Sequence, residues 1–221
     1  MERVTEPELM DEDEQARAYS NADFAEPHER FVDLLVASTK GSALIGPVLD
    51  LGCGPADVTM RVAKRMPGLS LHGVDGSAAM LRCGHARLAQ EQLADRITLV
   101  QALLPRDRPP ADSYPTIISN SLLHHLHDPS GLWTTVRKFA AKNAHVFVMD
   151  LMRPATITDV DRLVAENSQG EPEVLVRDFH ASLCAAFTVD EVRAQLAAAS
   201  LSSLVVEAVS NRHLTVSGSV T

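Results

Sequence analysis

The sequence predicts an α/β protein built on a doubly wound, mostly parallel sheet with helices on both faces. Three observations carry this. Strand-like and helix-like patterns alternate through most of the chain, which implies a parallel sheet covered on each side. The run Val48-Leu49-Asp50-Leu51 ends in two closely spaced glycines before a helical pattern. The last two strand-like segments follow each other with no helix between them, which places one antiparallel strand near the C-terminus.

The elements follow in order. Residues 1–15 are polar and patternless, and a loose segment is expected. Ala16 to Ser38 reads as helix in two pieces, with Phe31, Leu34 and Leu35 on one face. Gly41 to Pro47 is a loop and Val48–Leu51 a buried strand. The next helix runs to about Met66, where Pro67-Gly68 stops it. Leu69–Val74 is the second strand. Ser77 can cap a helix reaching to about Ala94, its hydroxyl accepting from an orphan N–H. Ile97–Leu103 is the third strand, Pro105–Pro115 a loop, and Thr116–Ser121 the fourth strand.

Asp128-Pro129 sets a cap residue before a proline suited to a first helical position. Ala144–Leu151 is the fifth strand, ended by Arg153-Pro154, and Thr156–Asn167 is helical. Residues 168–187 have no clear pattern. Thr188-Val189-Asp190-Glu191 has the form of a capping box and opens a helix to about Ala199. Leu204–Val209 and His213–Val220 pair across a turn at Ser210-Asn211-Arg212. There are no repeats and no second core. The expected organisation is an N-terminal helical lid or extension (1–40) before the main domain (41–221), with 155–187 as substrate cover.

Composition narrows the function. Of the 221 residues, 45% are hydrophobic but only 4% aromatic, so the core is aliphatic. The net charge of −9 repels phosphate backbones and argues against nucleic acid as a partner. Three widely spaced cysteines (Cys53, Cys83, Cys184) fit neither a disulfide framework nor a CxxC metal site, and a reducing cytoplasm is expected. The acidic Asp11-Glu12-Asp13-Glu14 is unlike a signal peptide, and no apolar run has the length of a membrane span. The expected partner is a small-molecule substrate, and the expected state a monomer or homodimer.

Gly52 and Gly54 mark a tight turn at which a ligand can approach the backbone. The helix that follows points N–H groups outward. Asp75 comes 21 residues after Gly54, at the end of the neighbouring strand, where a carboxylate can accept hydrogen bonds from a ribose diol. A dinucleotide site calls for a third glycine three residues after Gly54. Asp57 stands there and would face a pyrophosphate unfavourably. A phosphate-free cofactor with a positive sulfonium suits this acidic setting, with Asp50 adding negative potential. Cys53 is a small packing residue, since nothing basic adjoins it.

These residues resemble the class I S-adenosylmethionine-dependent methyltransferases. The likeness runs through Val48–Asp57, through Leu71–Met80 (ending its strand in Val74-Asp75-Gly76-Ser77), and through Ile-Ile-Ser-Asn-Ser-Leu-Leu-His-His-Leu-His-Asp-Pro from Ile117 to Pro129. It covers most of 45–151. The resemblance implies a seven-stranded sheet and S-adenosyl-L-methionine as cofactor. Gly52, Cys53 and Gly54 would meet its methionine part near Asp50, and Asp75 and Gly76 its ribose. Met80, Gln101, Ala102 and Leu103 would lie near adenine. Asn120 would offer a carbonyl to the amine, and Tyr19 would close over the cofactor. The usual third glycine is Ala56, the acid of the adenine motif is missing at Gln101-Ala102-Leu103, and Lys142-Asn143-Ala144 replaces Pro-Gly-Gly before the fifth strand.

His124, His125 and His127 crowd the end of the fourth strand. They suit packing and hydrogen bonding, and His124 or His125 also suits a general base or substrate-orienting group. No further ligand cluster accompanies them, so no metal site is expected. Arg153 can hold a substrate carboxylate, or equally pair with Asp150 or face solvent. The expected activity is methyl transfer to a small polar metabolite with an N, S or O acceptor. The alternatives are methylation of a macromolecule, a non-catalytic cofactor-binding regulatory module, and a nicotinamide-dependent oxidoreductase, the last disfavoured by Asp57.

Overall fold

The strand Val48–Leu51 (β1) is buried at every residue and pairs in parallel on both sides. That explains its unbroken apolar character apart from Asp50. On one flank lie Leu71–Asp75 (β2) and then Ile97–Gln101 (β3). On the other lie Tyr114–Asn120 (β4) and Ala140–Leu151 (β5), all parallel. Beyond β5 come the C-terminal strands Val205–Ala208 (β6) and His213–Ser219 (β7). The computed structural model describes residues 1–221 and gives the seven-stranded order β3-β2-β1-β4-β5-β7-β6. β7 alone runs against the direction of the other six strands, pairing antiparallel with both β5 and β6. The order reverses between β1 and β4, and at such a switch point the carboxyl ends of the strands leave a crevice.

Eight α-helices flank the sheet: Asp13–Asn21 (α1), Ala25–Ser38 (α2), Asp57–Arg65 (α3), Ala78–Gln90 (α4), Ser130–Phe139 (α5), Ile157–Asn167 (α6), Glu173–Ala185 (α7) and Val189–Ala198 (α8). Strand alternation sends successive side chains into two aliphatic cores. Ile117, Val146 and Val148 face Trp133, Val136 and Leu196 of α5 and α8. Ile118, Phe147 and Met149 face Phe31 and Leu35 of α2 and Val62 of α3. The Phe31 ring meets Phe147 edge-on at 5.0 Å, so α2 is part of the main core rather than an attachment to it. Trp133, fully buried, satisfies its indole by donating to Gln195 at 2.9 Å.

The cap signals hold. The Ser77 hydroxyl accepts from the Met80 N–H, and both bonds of the Thr188–Glu191 capping box form. Asp128 accepts from the Ser130 N–H at 2.9 Å, so the helix begins one residue after the proline. β4 begins earlier than expected, at Tyr114, and carries Pro115 where the register with β5 shifts. A proline without an N–H is tolerated at such an irregularity.

Two segments differ from expectation. Residues 168–187 contain α7, which opens after Pro172 with no side-chain cap and buries mostly its last turn (Ser182, Leu183, Cys184, Ala185). An apolar face confined to one end gives no helical period to read. Residues 1–12 are not loose. The Val4 N–H donates to the Cys184 carbonyl, and Arg3 donates to the carbonyls of Ala185, His124 and Leu126. Asp11 accepts from the Ala79 N–H at the start of α4. These partners are distant in sequence, so no local pattern announces them.

His213 opens β7 with its ring buried, and burial, with Arg212 adding to it, pushes its pKa down to about 4. The folded state therefore favours the neutral ring. The associated stability is present above the ordinary value near 6.5 and is lost as pH falls toward 4. His213→Gln should flatten the fall of the urea midpoint between pH 7 and 4, by up to about 3 kcal/mol at the acid end. A variant as acid-sensitive as the parent would remove His213 from that account.

Candidate active site

The crevice at the ends of β1, β2 and β4 is a cavity of about 450 Å³, within the usual range of roughly 300–1,000 Å³ for small-ligand sites. The chain turns out of β1 through three residues with positive φ: Gly52 (+71°), Gly54 (+52°) and Ala56 (+62°). Gly52 and Cys53 each donate to the Val74 carbonyl, tying the turn to β2. A Cβ on Gly52 would lie 2.8 Å from the Leu122 side chain, whereas one on Gly54 would meet nothing within 4 Å. Gly52 thus serves close packing, and Gly54 leaves the floor of the cavity open. Ala56 accepts the left-handed conformation at a cost of about 1–2 kcal/mol, so the missing third glycine changes the residue and not the turn.

Asp75 is the centre of the site. One carboxylate oxygen accepts from the Gly54 N–H and the other from the Ser77 N–H, both at 2.8 Å. Burial raises its pKa, while those two N–H groups pull the other way. Asp50, almost wholly buried, accepts from the Thr59 hydroxyl at 2.5 Å. Burial pushes its pKa up to about 7; the Thr59 hydroxyl opposes the rise and the Asp75 charge adds to it. Burial likewise pushes the Cys53 thiol far up, and its sulfur packs against Gly73, so Cys53 is no nucleophile.

Gly76, Met80, Ala102 and Leu103 line one end of the cavity with Leu9 and Met10 of the N-terminal segment. Gln101 does not reach it; its amide donates to the Gly76 carbonyl at 3.0 Å. Tyr19 lines the wall with its ring against Phe24 at 4.8 Å, and burial, reinforced by Asp57 and Asp75, pushes its hydroxyl up to about 12. Asn120 also lines the cavity, its amide donating to the Ser121 hydroxyl.

The histidines divide. His125 lines the cavity, His127 is exposed, and His124 is buried behind them. His124 Nδ1 bonds Asp150 Oδ1 at 2.6 Å, and Asp150 also accepts from the Leu123 N–H. Burial would lower the His124 pKa, but the Asp150 charge and hydrogen bond outweigh it and the net shift is upward. Arg153 does not reach the cavity. Its guanidinium donates to the Ala186 carbonyl and to Glu191 at 2.6 Å, fastening α8 behind the sheet. The role of a substrate clamp is therefore not supported by its position.

No residue of 155–187 lines the cavity; Glu8, Leu9 and Met10 do so instead. The lining holds five carboxylates (Glu8, Asp50, Asp57, Asp75, Asp128) and no lysine or arginine. Asp57 is offset by Arg61, Arg87 and His28. The remaining potential is negative, which suits a cationic ligand and opposes a pyrophosphate.

The two glycines should separate in mutation. Gly52→Ala meets both the Leu122 clash and the left-handed backbone, and should cost roughly 2–4 kcal/mol in urea unfolding. Gly54→Ala meets only the backbone term, about 1–2 kcal/mol, while its methyl enters the cavity. Equal losses for the two variants would contradict this division.

Residues 49–146 match the family model described as a methyltransferase domain. Over 50 residues the chain is 46% identical to trans-aconitate 2-methyltransferase of Rhodopseudomonas palustris, a match covering 23% of this chain and 20% of that one. The chain spans between 5% and 48% of the length of the curated relatives it matches. Among solved structures, it is similar to a SAM-dependent methyltransferase from Aquifex aeolicus (TM-score 0.68, 13% identity, covering 95% of this chain and 99% of that one). It is also similar to the plantazolicin methyltransferase BpumL in complex with SAH (TM-score 0.67, 14% identity, 93% and 90%). With its reversed strand order, its glycine turn and its matched domain, the chain has the fold of the class I S-adenosylmethionine-dependent methyltransferases.

Proposed function

We propose that this chain binds S-adenosyl-L-methionine and transfers its methyl group to a small polar acceptor. The observation that carries the reading is the Asp75 carboxylate, held by the Gly54 and Ser77 N–H groups on the wall of a cavity lined by acids and by no lysine or arginine. The residues present fit the cofactor. Asp75 has lone pairs left for a sugar diol, and the backbone at Gly54 is open to a ligand. Asp50 and Asn120 stand where an amine would lie, and Met80, Ala102 and Leu103 with Leu9 and Met10 form an apolar slot for a base.

When bound, the cofactor supplies an electrophilic methyl carbon on a positive sulfur. The protein's part is alignment and exclusion of water. Tyr19 and the segment around Leu9 and Met10 line the cavity, placed to close over a bound cofactor. His125 stands on the wall and can hold or take a proton from an acceptor that must lose one. The cover is formed by a few residues over a small volume, which supports a small acceptor over a macromolecule. The trans-aconitate methyltransferase named above acts on such a molecule, and a further relative is a malonyl-[acyl-carrier protein] O-methyltransferase of a Paenibacillus species.

Calorimetric titration is expected to show binding of S-adenosylmethionine and S-adenosylhomocysteine but not of NAD; the reverse order would end the proposal. Asp75→Ala should weaken cofactor binding by about 1–3 kcal/mol, the range for a charged hydrogen bond. Asp50 adds a pH signature. A cationic ligand favours its ionised form, so affinity should rise as pH climbs toward about 7 and level off above it. Asp50→Asn should abolish that rise, and an unchanged profile would exclude Asp50 as its source.

A further inference from the structure

Beside the cavity, Glu6, His124 and His125 bring three donor atoms to within 4.8 Å of one another. Glu6 Oε1 lies 3.1 Å from His125 Nδ1 and 3.7 Å from His124 Nε2. We propose that these three atoms bind a divalent transition-metal ion of the zinc class, with its open coordination positions toward the cavity. The spacing is suitable, because donors 2.0–2.1 Å from zinc at tetrahedral angles lie about 3.4 Å apart.

Two of the three atoms have no other occupation. Glu6 Oε1 and His125 Nδ1 are buried without a hydrogen-bond partner, since their 3.1 Å contact lacks hydrogen-bond alignment. Such orphaned atoms are rare in folded proteins and call for a cause, a bound ion being one. The Glu6 side chain is only 8% exposed. It is also held in place: its other oxygen accepts from the Ser182 hydroxyl at 3.1 Å, and its backbone carbonyl accepts from His127 Nε2 at 2.7 Å. Arg3 acts on Glu6 through its charge but makes no hydrogen bond to it. Arg3 donates to the carbonyls of Ala185, His124 and Leu126, and its guanidinium lies 3.9 Å over the Phe187 ring.

The third donor is aimed by its own partner. Asp150 bonds His124 Nδ1, which fixes the ring with Nε2 facing Glu6 at 3.7 Å. A carboxylate behind a histidine that faces a metal is the usual supporting arrangement in metal sites. Two histidines and a glutamate are a ligand set of catalytic zinc, which keeps further positions for water or substrate. His125 lines the cavity, so those positions open where an acceptor would sit. A metal ion would supply the positive centre that this acid-lined cavity lacks, and with it a hold on an anionic oxygen or sulfur of the acceptor. Metal binding does not depend on the methyl-transfer reading and is measured without cofactor.

The test uses the full chain stripped with a chelator and titrated with zinc chloride, followed by cobalt(II) as a spectroscopic probe. One equivalent is expected to bind, with cobalt d–d bands showing a low-coordinate nitrogen and oxygen site. Glu6→Gln and His125→Asn should each weaken zinc binding at least about tenfold, with far-UV circular dichroism confirming the fold. His85→Asn, on the exposed face of α4, should leave binding unchanged. Absence of stoichiometric binding by the folded parent chain would overturn the proposal, as would full affinity in both site variants.

Discussion

The site depends on one carboxylate shared between two loops. Asp75 ends β2, and its oxygens take N–H groups from the turn after β1 and from the turn into α4. Each N–H would otherwise be an orphan near a buried cleft, where an unpaired polar group is costly. Satisfying both with one side chain fixes how far apart the two strand tips stand, and the width of the cavity follows. The left-handed residues Gly52, Gly54 and Ala56 are the backbone counterpart of that constraint, because only a chain that doubles back can turn the Gly54 N–H toward β2.

The N-terminal segment completes what the strand tips begin. Arg3 reaches the carbonyls at both the histidine turn and the end of α7, Glu6 lies against His124 and His125, and Asp11 accepts from an N–H at the start of α4. A segment with little apolar content is thus ordered by hydrogen bonds to backbone groups that the fold had left open. It lines the cavity, which no residue of 155–187 does, and α7 serves as its abutment through Ser182 and Cys184.

Legibility in the sequence tracked the range of the interaction. The glycine turn, the Ser77 cap and the Thr188 capping box are set by residues a few positions apart, and each formed as expected. Asp75 was readable because its distance from Gly54 is the length of one helix and one strand. Glu6, Glu8 and Arg3 carried no signal, since their partners lie more than a hundred residues away. Arg153 shows a different failure. Its place after β5 is legible, but Glu191 claims its guanidinium from a helix that packs behind the strand. Gln101 turned to the nearest free carbonyl in the same way.

Two buried aspartates show how the fold assigns charge across the site. Asp150 and Asp50 are equally hidden from solvent. Burial raises the pKa of both, yet Asp150 is offset first by the His124 charge and hydrogen bond and then by the Leu123 N–H, so its net shift is downward. Asp50 has one hydroxyl against it, and its pKa stays near 7. The first is therefore a settled anion whose partner is already present. The second becomes a stable anion only when a cation arrives, and it borders the cavity that a cation would enter. The asymmetry needs no difference in depth. It follows from whether the chain supplies the countercharge or leaves it to the ligand.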